Sequence, residues 1–206
     1  MTEKEVLEKH KKGESLEDLD LSYLNFDNQD LTGVNFTGAT LTCTSFINTK
    51  LDNAVLNDAF MAECRLVNAS LKNVKARRVF FQRTKLNNAI IENSDFTGAR
   101  FQVSDMTGIK IINSDLTQAN LEDSIIQKAL IKKVNLFNSN FRGADIKEAT
   151  LEETDFSHSD FRKVQTQGAV FKNIKAEEVL FYGKTPWDKS VIDMDWKAIL
   201  PTYQVD

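Results

Sequence analysis

The side chains best suited to acid–base, nucleophilic or metal chemistry are few in this sequence of 206 residues. Its two histidines and two cysteines are widely separated: His10, His158, Cys43 and Cys64. The sequence has no G-x-S-x-G nucleophile motif, no glycine-rich nucleotide loop and no histidine pair at metal-ligand spacing. Adjacent carboxylates such as Glu152 and Glu153 are typical of a solvated surface. We therefore expect no catalytic residues, no cofactor and no metal.

A basic segment next to two phenylalanines is the first group of side chains suited to binding. Between Cys64 and Ile91 the chain has seven Lys or Arg residues and no Asp or Glu. Unopposed positive charge attracts anions or acidic partners, although scattered surface charge is more often only solvated. The candidate partner-binding patch consists of Phe60, Phe80, Arg77, Arg78, Arg83 and Lys85.

Three aspartates form an alternative binding surface. Asp95 and Asp115 are 20 residues apart, and Asp155 follows at a further multiple of this spacing. Carboxylates in a regular row on a rod can imitate the phosphates of DNA. Direct binding of nucleic acid is not expected, because the net charge of the chain is -4 and proteins that bind nucleic acid are usually basic.

A period of five residues determines where all these side chains lie. Every fifth residue from Leu16 to Phe181 is large and apolar, with three exceptions. Two residues before each of them, from Val34 onward, stands a small or β-branched residue. Neither of these columns contains a charged residue between positions 34 and 181. Both columns are therefore predicted to point into a common core.

The residue two places after each large apolar residue marks a turn. Every glycine except Gly13 falls in this column, together with many asparagines, and these residues tolerate positive φ. A period of five fits neither a helix nor a strand. It fits a coil with four short sides and a corner every five residues. Neighbouring coils would then stack at about 4.8 Å and pair their backbones.

This pattern resembles that of pentapeptide-repeat proteins. The repeat Ala-Asp/Asn-Leu/Phe-x-x is found, for example, at 119–123 and, with serine in the first position, at 94–98, and the period runs from 14 to 183 without insertion or deletion. The resemblance implies an all-β solenoid, namely a right-handed quadrilateral β-helix of about eight coils. It also implies a link to type II topoisomerases, which the quinolone-resistance and gyrase-inhibitor members of the family bind as DNA mimics. This chain departs from those members in its cationic segment and in lacking loop insertions.

Both ends of such a rod need caps. We expect a capping helix within 1–13, introduced by a Thr2/Glu5 capping box, then the β-helix over 14–183 and a helical cap or tail over 184–206. Trp187 and Trp196 in the tail would cover the last coil or form a homodimer interface.

Together these features favour a non-enzymatic scaffold that binds a protein partner through a rigid surface, and the alternative is a DNA-mimicking modulator of gyrase. We expect a cytoplasmic protein, since two cysteines do not form a disulfide framework. The sequence has no apolar run long enough to span a membrane, so no membrane association is expected. It leaves open whether the protein is a monomer or a homodimer.

Overall fold

The computed structural model describes residues 1–187, most of which form a stack of coils of 20 residues each. In every backbone bridge a residue pairs in parallel with the residue 20 positions later, from Asp20 with Thr40 to Asp160 with Leu180. The N–H of Leu21, for example, donates to the carbonyl of Thr40 at 2.8 Å. The solenoid predicted from the period of five is therefore confirmed.

Six short strands lie on one side of the stack and pair in parallel in chain order. They are β1 Ser70–Lys72, β2 Ile90–Glu92, β3 Lys110–Ile112, β4 Leu130–Lys132, β5 Thr150–Glu152 and β6 Val170–Lys172. These strands span about five turns, fewer than the eight coils predicted. On the other three sides, and in the first coils, the chain forms single-residue bridges with the same spacing instead of strands.

The chain turns at every fifth residue because this residue takes the left-handed backbone conformation. The angle φ is positive at each corner from Asp18 to Gly183. Asparagine and glycine tolerate this conformation, but Arg78 (φ 55°) and Val103 (φ 59°) adopt it as well. Left-handed backbone costs an ordinary residue roughly 1–2 kcal/mol. Core packing and hydrogen bonds between coils must therefore impose the corner where the residue type does not favour it.

The two inward columns fill the interior of the rod. The large column is buried from Leu16 to Phe161, and its phenylalanines stack between coils, as in Phe81 and Phe101, whose ring centroids are 5.4 Å apart. Polar members of the small column are buried with a partner. The hydroxyl of Thr44, for example, donates to the carbonyl of Leu21 at 2.9 Å. The predicted core columns are therefore the observed ones.

A short helix lies against the first coil. Helix α1 spans Glu3–Lys11 and begins with the predicted capping box, in which Thr2 and Glu5 exchange hydrogen bonds. Val6 on this helix is fully buried and belongs to the core cluster. The Glu3 carboxylate also accepts a hydrogen bond from the N–H of Asn25 at 3.2 Å. The helix therefore extends the apolar interior at the N-terminal end.

The other end of the described chain is closed by an aromatic cluster. The indole of Trp187 meets four phenylalanine rings edge-on, with centroid distances of 5.0, 5.5, 5.6 and 5.2 Å to Phe156, Phe161, Phe171 and Phe181. Trp187 therefore packs on the last coils of its own chain. Of the helical tail predicted over 184–206, the part from position 188 onward, which includes Trp196, lies outside the described residues.

Candidate protein-binding surface

The outward residue just before each large apolar residue forms four rows along the rod, one on each side. One row, which we call the aromatic face, is defined by Thr40, Phe60, Phe80, Arg100 and Asn120. Because each coil repeats after 20 residues, these side chains lie directly next to one another at the inter-strand spacing, about 4.8 Å. The aromatic face therefore brings together the two phenylalanines of the candidate patch.

Phe60 and Phe80 stack on each other at the surface. Their ring centroids are 4.2 Å apart and their planes differ by 11°. The guanidinium carbon of Arg100 lies 4.4 Å from the centre of the Phe80 ring, on the next coil. Phe60 nevertheless remains 46% exposed. Aromatic stacking and the cation–π contact thus hold three flat groups in a fixed row that solvent still reaches.

Two corner arginines of the patch are already paired with carboxylates of the preceding coil. Arg78 donates from Nε and from one terminal nitrogen to the two carboxylate oxygens of Asp58, each at 2.7 Å. This bidentate contact raises the pKa of Arg78. On the opposite corner Arg83 lies 3.8 Å from Glu63. The segment that lacks acidic residues in the sequence is therefore partly neutralised by its neighbours in space.

The remaining two basic residues of the patch belong to adjacent sides of the rod. Arg77 donates to the carboxylate of Asp95 at 2.5 Å, so it lies on the side of the rod that carries Asp95 and Asp115. Lys85 lies in another row, next to Arg65 and Asp105. The structure therefore groups Phe60, Phe80, Arg78 and Arg83 with Arg100, and it separates Arg77 and Lys85 from them. Arg100 was identifiable from the sequence by its spacing of 20 from Phe80.

The aspartates of the alternative surface also share one row, but cations and an amide interrupt it. Asp95 is paired with Arg77, Asp155 lies 3.5 Å from Lys175, and Asn135 stands between Asp115 and Asp155. Partial burial opposes ionisation of Asp95, but hydrogen bonds from Thr97 and Arg77 outweigh it and hold the pKa of Asp95 below its ordinary value. The row is thus only partly negative.

A polar groove of about 910 Å³ runs beside the aspartate row. It follows the corner between the strand-bearing side and the aspartate row and is lined mainly by amides and charges, among them Asn73, Asn93, Asn113, Asp95 and Asp115. The corner position of these asparagines predicts turns. The groove depends on how their amides are oriented relative to the next side of the rod, which the sequence pattern does not specify.

The cysteines are unsuited to nucleophilic or metal chemistry. Cys64 is buried and donates to the carbonyl of Leu41 at 2.9 Å, and burial raises the pKa of its thiol to about 12. Cys43 lies next to Glu63, and desolvation together with this carboxylate raises its pKa as well. Within residues 1–187, no group of three or more His, Cys, Asp or Glu side chains is placed to hold a metal ion. In the same range, no helix has the length and apolarity to cross a membrane.

Solved structures of low sequence identity resemble the chain. One is HetL, a pentapeptide-repeat protein involved in heterocyst differentiation regulation in the cyanobacterium Nostoc sp. strain PCC 7120, with 20% identity, a TM-score of 0.46 and coverage of 93% of this chain and 99% of HetL. Another is QnrB1, a plasmid-mediated fluoroquinolone resistance protein, with 17% identity, a TM-score of 0.37 and coverage of 79% and 91%. Rfr23 from the cyanobacterium Cyanothece 51142 has 14% identity, a TM-score of 0.27 and coverage of 86% and 98%.

The sequence itself gives a more direct assignment. No curated protein matches the chain significantly. The family model described as pentapeptide repeats, however, matches eight copies over residues 20–58, 64–102, 104–143 and 139–174. These matches cover most of the coils seen in the structure, and their period is that of the observed corners. The chain belongs to the pentapeptide-repeat family.

Proposed function

We propose that this protein is a non-enzymatic binding module that holds a protein partner on its aromatic face. The observation that carries this proposal is the surface stack of Phe60, Phe80 and Arg100. Aromatic residues, phenylalanine among them, and arginine are enriched in protein interfaces relative to the rest of the surface. Here they form one continuous patch instead of being scattered singly over the surface.

The rod suits this role because its surface is formed before any partner arrives. Each coil is hydrogen-bonded to the next one. At the two edges of the aromatic face, Arg78 is paired with Asp58 and Arg83 with Glu63. A surface whose side chains are already fixed loses little conformational entropy on binding. Both cysteines are free thiols, which fits a protein that works in the reducing cytoplasm.

Modulation of a type II topoisomerase by DNA mimicry is the alternative function. It would require a continuous negative face. The aspartate row instead contains Lys75, Asn135 and Lys175 beside its three carboxylates, and Arg77 neutralises Asp95. This arrangement favours the binding module. Inhibition of gyrase supercoiling by micromolar protein, lost in an Asp95→Asn/Asp115→Asn variant, would reverse this preference.

The proposal is tested by affinity capture with the full chain from a lysate of cells that make it naturally. A Phe60→Ser/Phe80→Ser variant should lose a protein that the unchanged chain retains. Serine is suitable because Ser45 and Ser70 occupy equivalent outward positions, so the fold should tolerate it.

The matched control is Phe137→Ser, which removes a similarly exposed phenylalanine from another side of the rod. This control should retain the same protein as the unchanged chain. The proposal is wrong if every captured protein binds the double variant as well as it binds the control.

A further inference from the structure

We infer that the aromatic face recognises an extended peptide segment with an aromatic residue and an acidic residue four positions apart. This inference rests on the proposed function and specifies the chemistry of the partner. It follows from an uncovered ring at one end of the stack, an unpaired cation at the other end and the distance between them.

The ring of Phe60 is covered on one side only. Phe80 stacks on its C-terminal side at 4.2 Å, and the next outward residue on its N-terminal side is Thr40. A threonine side chain ends at its γ atoms and is too short to cover a phenyl ring, which agrees with the 46% exposure of Phe60. The space above Thr40 is thus shaped for one more flat group stacked on Phe60.

Arg100 provides a cation at the other end of the stack. Its guanidinium carbon lies over the Phe80 ring, 4.4 Å from the ring centre. No carboxylate of residues 1–187 forms a salt bridge with it, whereas Arg78 and Arg83 are paired with Asp58 and Glu63. The five charged residues Arg78, Arg83, Arg100, Asp58 and Glu63 therefore carry one net positive charge, and Arg100 is the one without a paired carboxylate. The complementary group of a partner is a carboxylate, which binds guanidinium in a bidentate manner.

The distance between the two positions selects the spacing within the partner. A ring stacked on Phe60 lies at the level of Thr40, three coils from Arg100, so the two positions are about 14 Å apart at the inter-strand spacing. Four residues of extended chain rise by about 13 Å, and an even separation places both side chains on the same face of that chain. An aromatic residue and an Asp or Glu four positions apart meet both requirements, with the segment lying parallel to the rod axis.

The test is selection of a phage-displayed library of random 12-residue peptides on the immobilised full chain. Enriched peptides should contain Trp, Tyr or Phe four positions from Asp or Glu, in either order. A fluorescent copy of the most enriched peptide should bind Phe60→Ser and Arg100→Gln proteins about tenfold more weakly than the unchanged protein, as is typical of residues at the centre of an interface. Moving the acidic residue by one position should weaken binding similarly.

Arg65→Gln and Phe137→Ser are the matched controls, because both residues are exposed and lie on other sides of the rod. Both control proteins should bind the peptide as the unchanged chain does. Absence of enriched peptides, enrichment without this spacing, or equal binding to the Phe60→Ser protein would overturn the inference. If capture of a natural protein still depended on Phe60 and Phe80 in that case, the proposed function would stand and only the peptide chemistry would be wrong.

Discussion

Replacement of Phe101 by alanine tests the assignment of inward and outward columns. Phe101 is fully buried, and its ring packs against Phe81 at 5.4 Å and Phe96 at 6.0 Å. Removal of a buried phenylalanine leaves a cavity and costs about 3–5 kcal/mol. Coils held on both sides by hydrogen bonds have little freedom to collapse into that cavity. We therefore expect a loss of about 4 kcal/mol in the free energy of unfolding.

Phe60→Ala is the comparison, because the same atoms are removed from the outer surface. Phe60 is 46% exposed and has one ring neighbour, so its loss should cost about 1 kcal/mol. In a chain of this size 1 kcal/mol corresponds to about 2–4 °C in melting temperature. Phe101→Ala should therefore melt roughly 6–12 °C below Phe60→Ala.

The measurement is urea and thermal unfolding followed by circular dichroism. In a solenoid each coil contacts only its neighbours, so Phe101→Ala, near the middle of the rod, should also broaden the transition as the two halves begin to unfold separately. Equal destabilisation by the two substitutions would refute the column assignment. A Phe101→Asp protein that folds with unchanged melting behaviour would do so as well, because a buried unpaired charge costs several kcal/mol.

Three further substitutions probe other features. Val103 is a β-branched residue at positive φ, so Val103→Asn should relieve backbone strain and raise the free energy of unfolding by about 1 kcal/mol, measured in urea; a loss of stability would contradict the account of the corners. The pKa of Asp95 is lower in the folded protein than in the unfolded chain. Its carboxylate therefore contributes to the free energy of unfolding at pH values above the unfolded pKa of about 3.9, and this contribution is lost as the pH falls through the folded pKa. Asp95→Asn should therefore make unfolding less sensitive to pH below about 4, and an unchanged pH profile would argue against this contribution. Trp187→Ala should speed hydrogen exchange around Phe171 and Phe181 but not in the central coils, and uniform acceleration would show that the end of the rod is not a separate unit.

The core and the corners were predictable from the sequence because position within the pentad determines them. The inward columns appear directly as the absence of charge, and the corner as the concentration of glycine and asparagine. Val103 and Arg78 show that the corner persists even where the local residue type disfavours it. The period therefore carries information that single-residue propensities do not.

The pairing of charges was not predictable in the same way. Arg78 and Asp58 are 20 residues apart in one corner row, but Arg77 and Asp95 are 18 apart and meet because two different outward columns share one side. Such contacts depend on side-chain rotamers as well as on the register. For this reason the segment that looks uniformly basic in the sequence is partly neutralised around the aromatic face.

The location of the strands was also absent from the sequence pattern. On the strand-bearing side the N–H of Val74 donates to the hydroxyl of Ser94, and that of Ser94 donates to Ser114. At many other corners the equivalent N–H donates to the carbonyl three residues earlier, as Ala69 does to Leu66. Serine occurs at this position on other sides too, as at Ser104, so residue type alone does not identify the side that becomes extended.

The repeat of 20 residues per coil has a consequence for how such a chain can change length. An insertion of one pentad after Gly98 would keep every large side chain in the core, yet it would rotate the rest of the rod by a quarter turn about its axis. Arg100 would then lie on a different side from Phe80, and the aromatic face would be divided although the fold survived. Insertion of a whole coil at the same point would preserve the orientation of both halves. Growth and loss that maintain a binding surface must therefore proceed in multiples of four pentads.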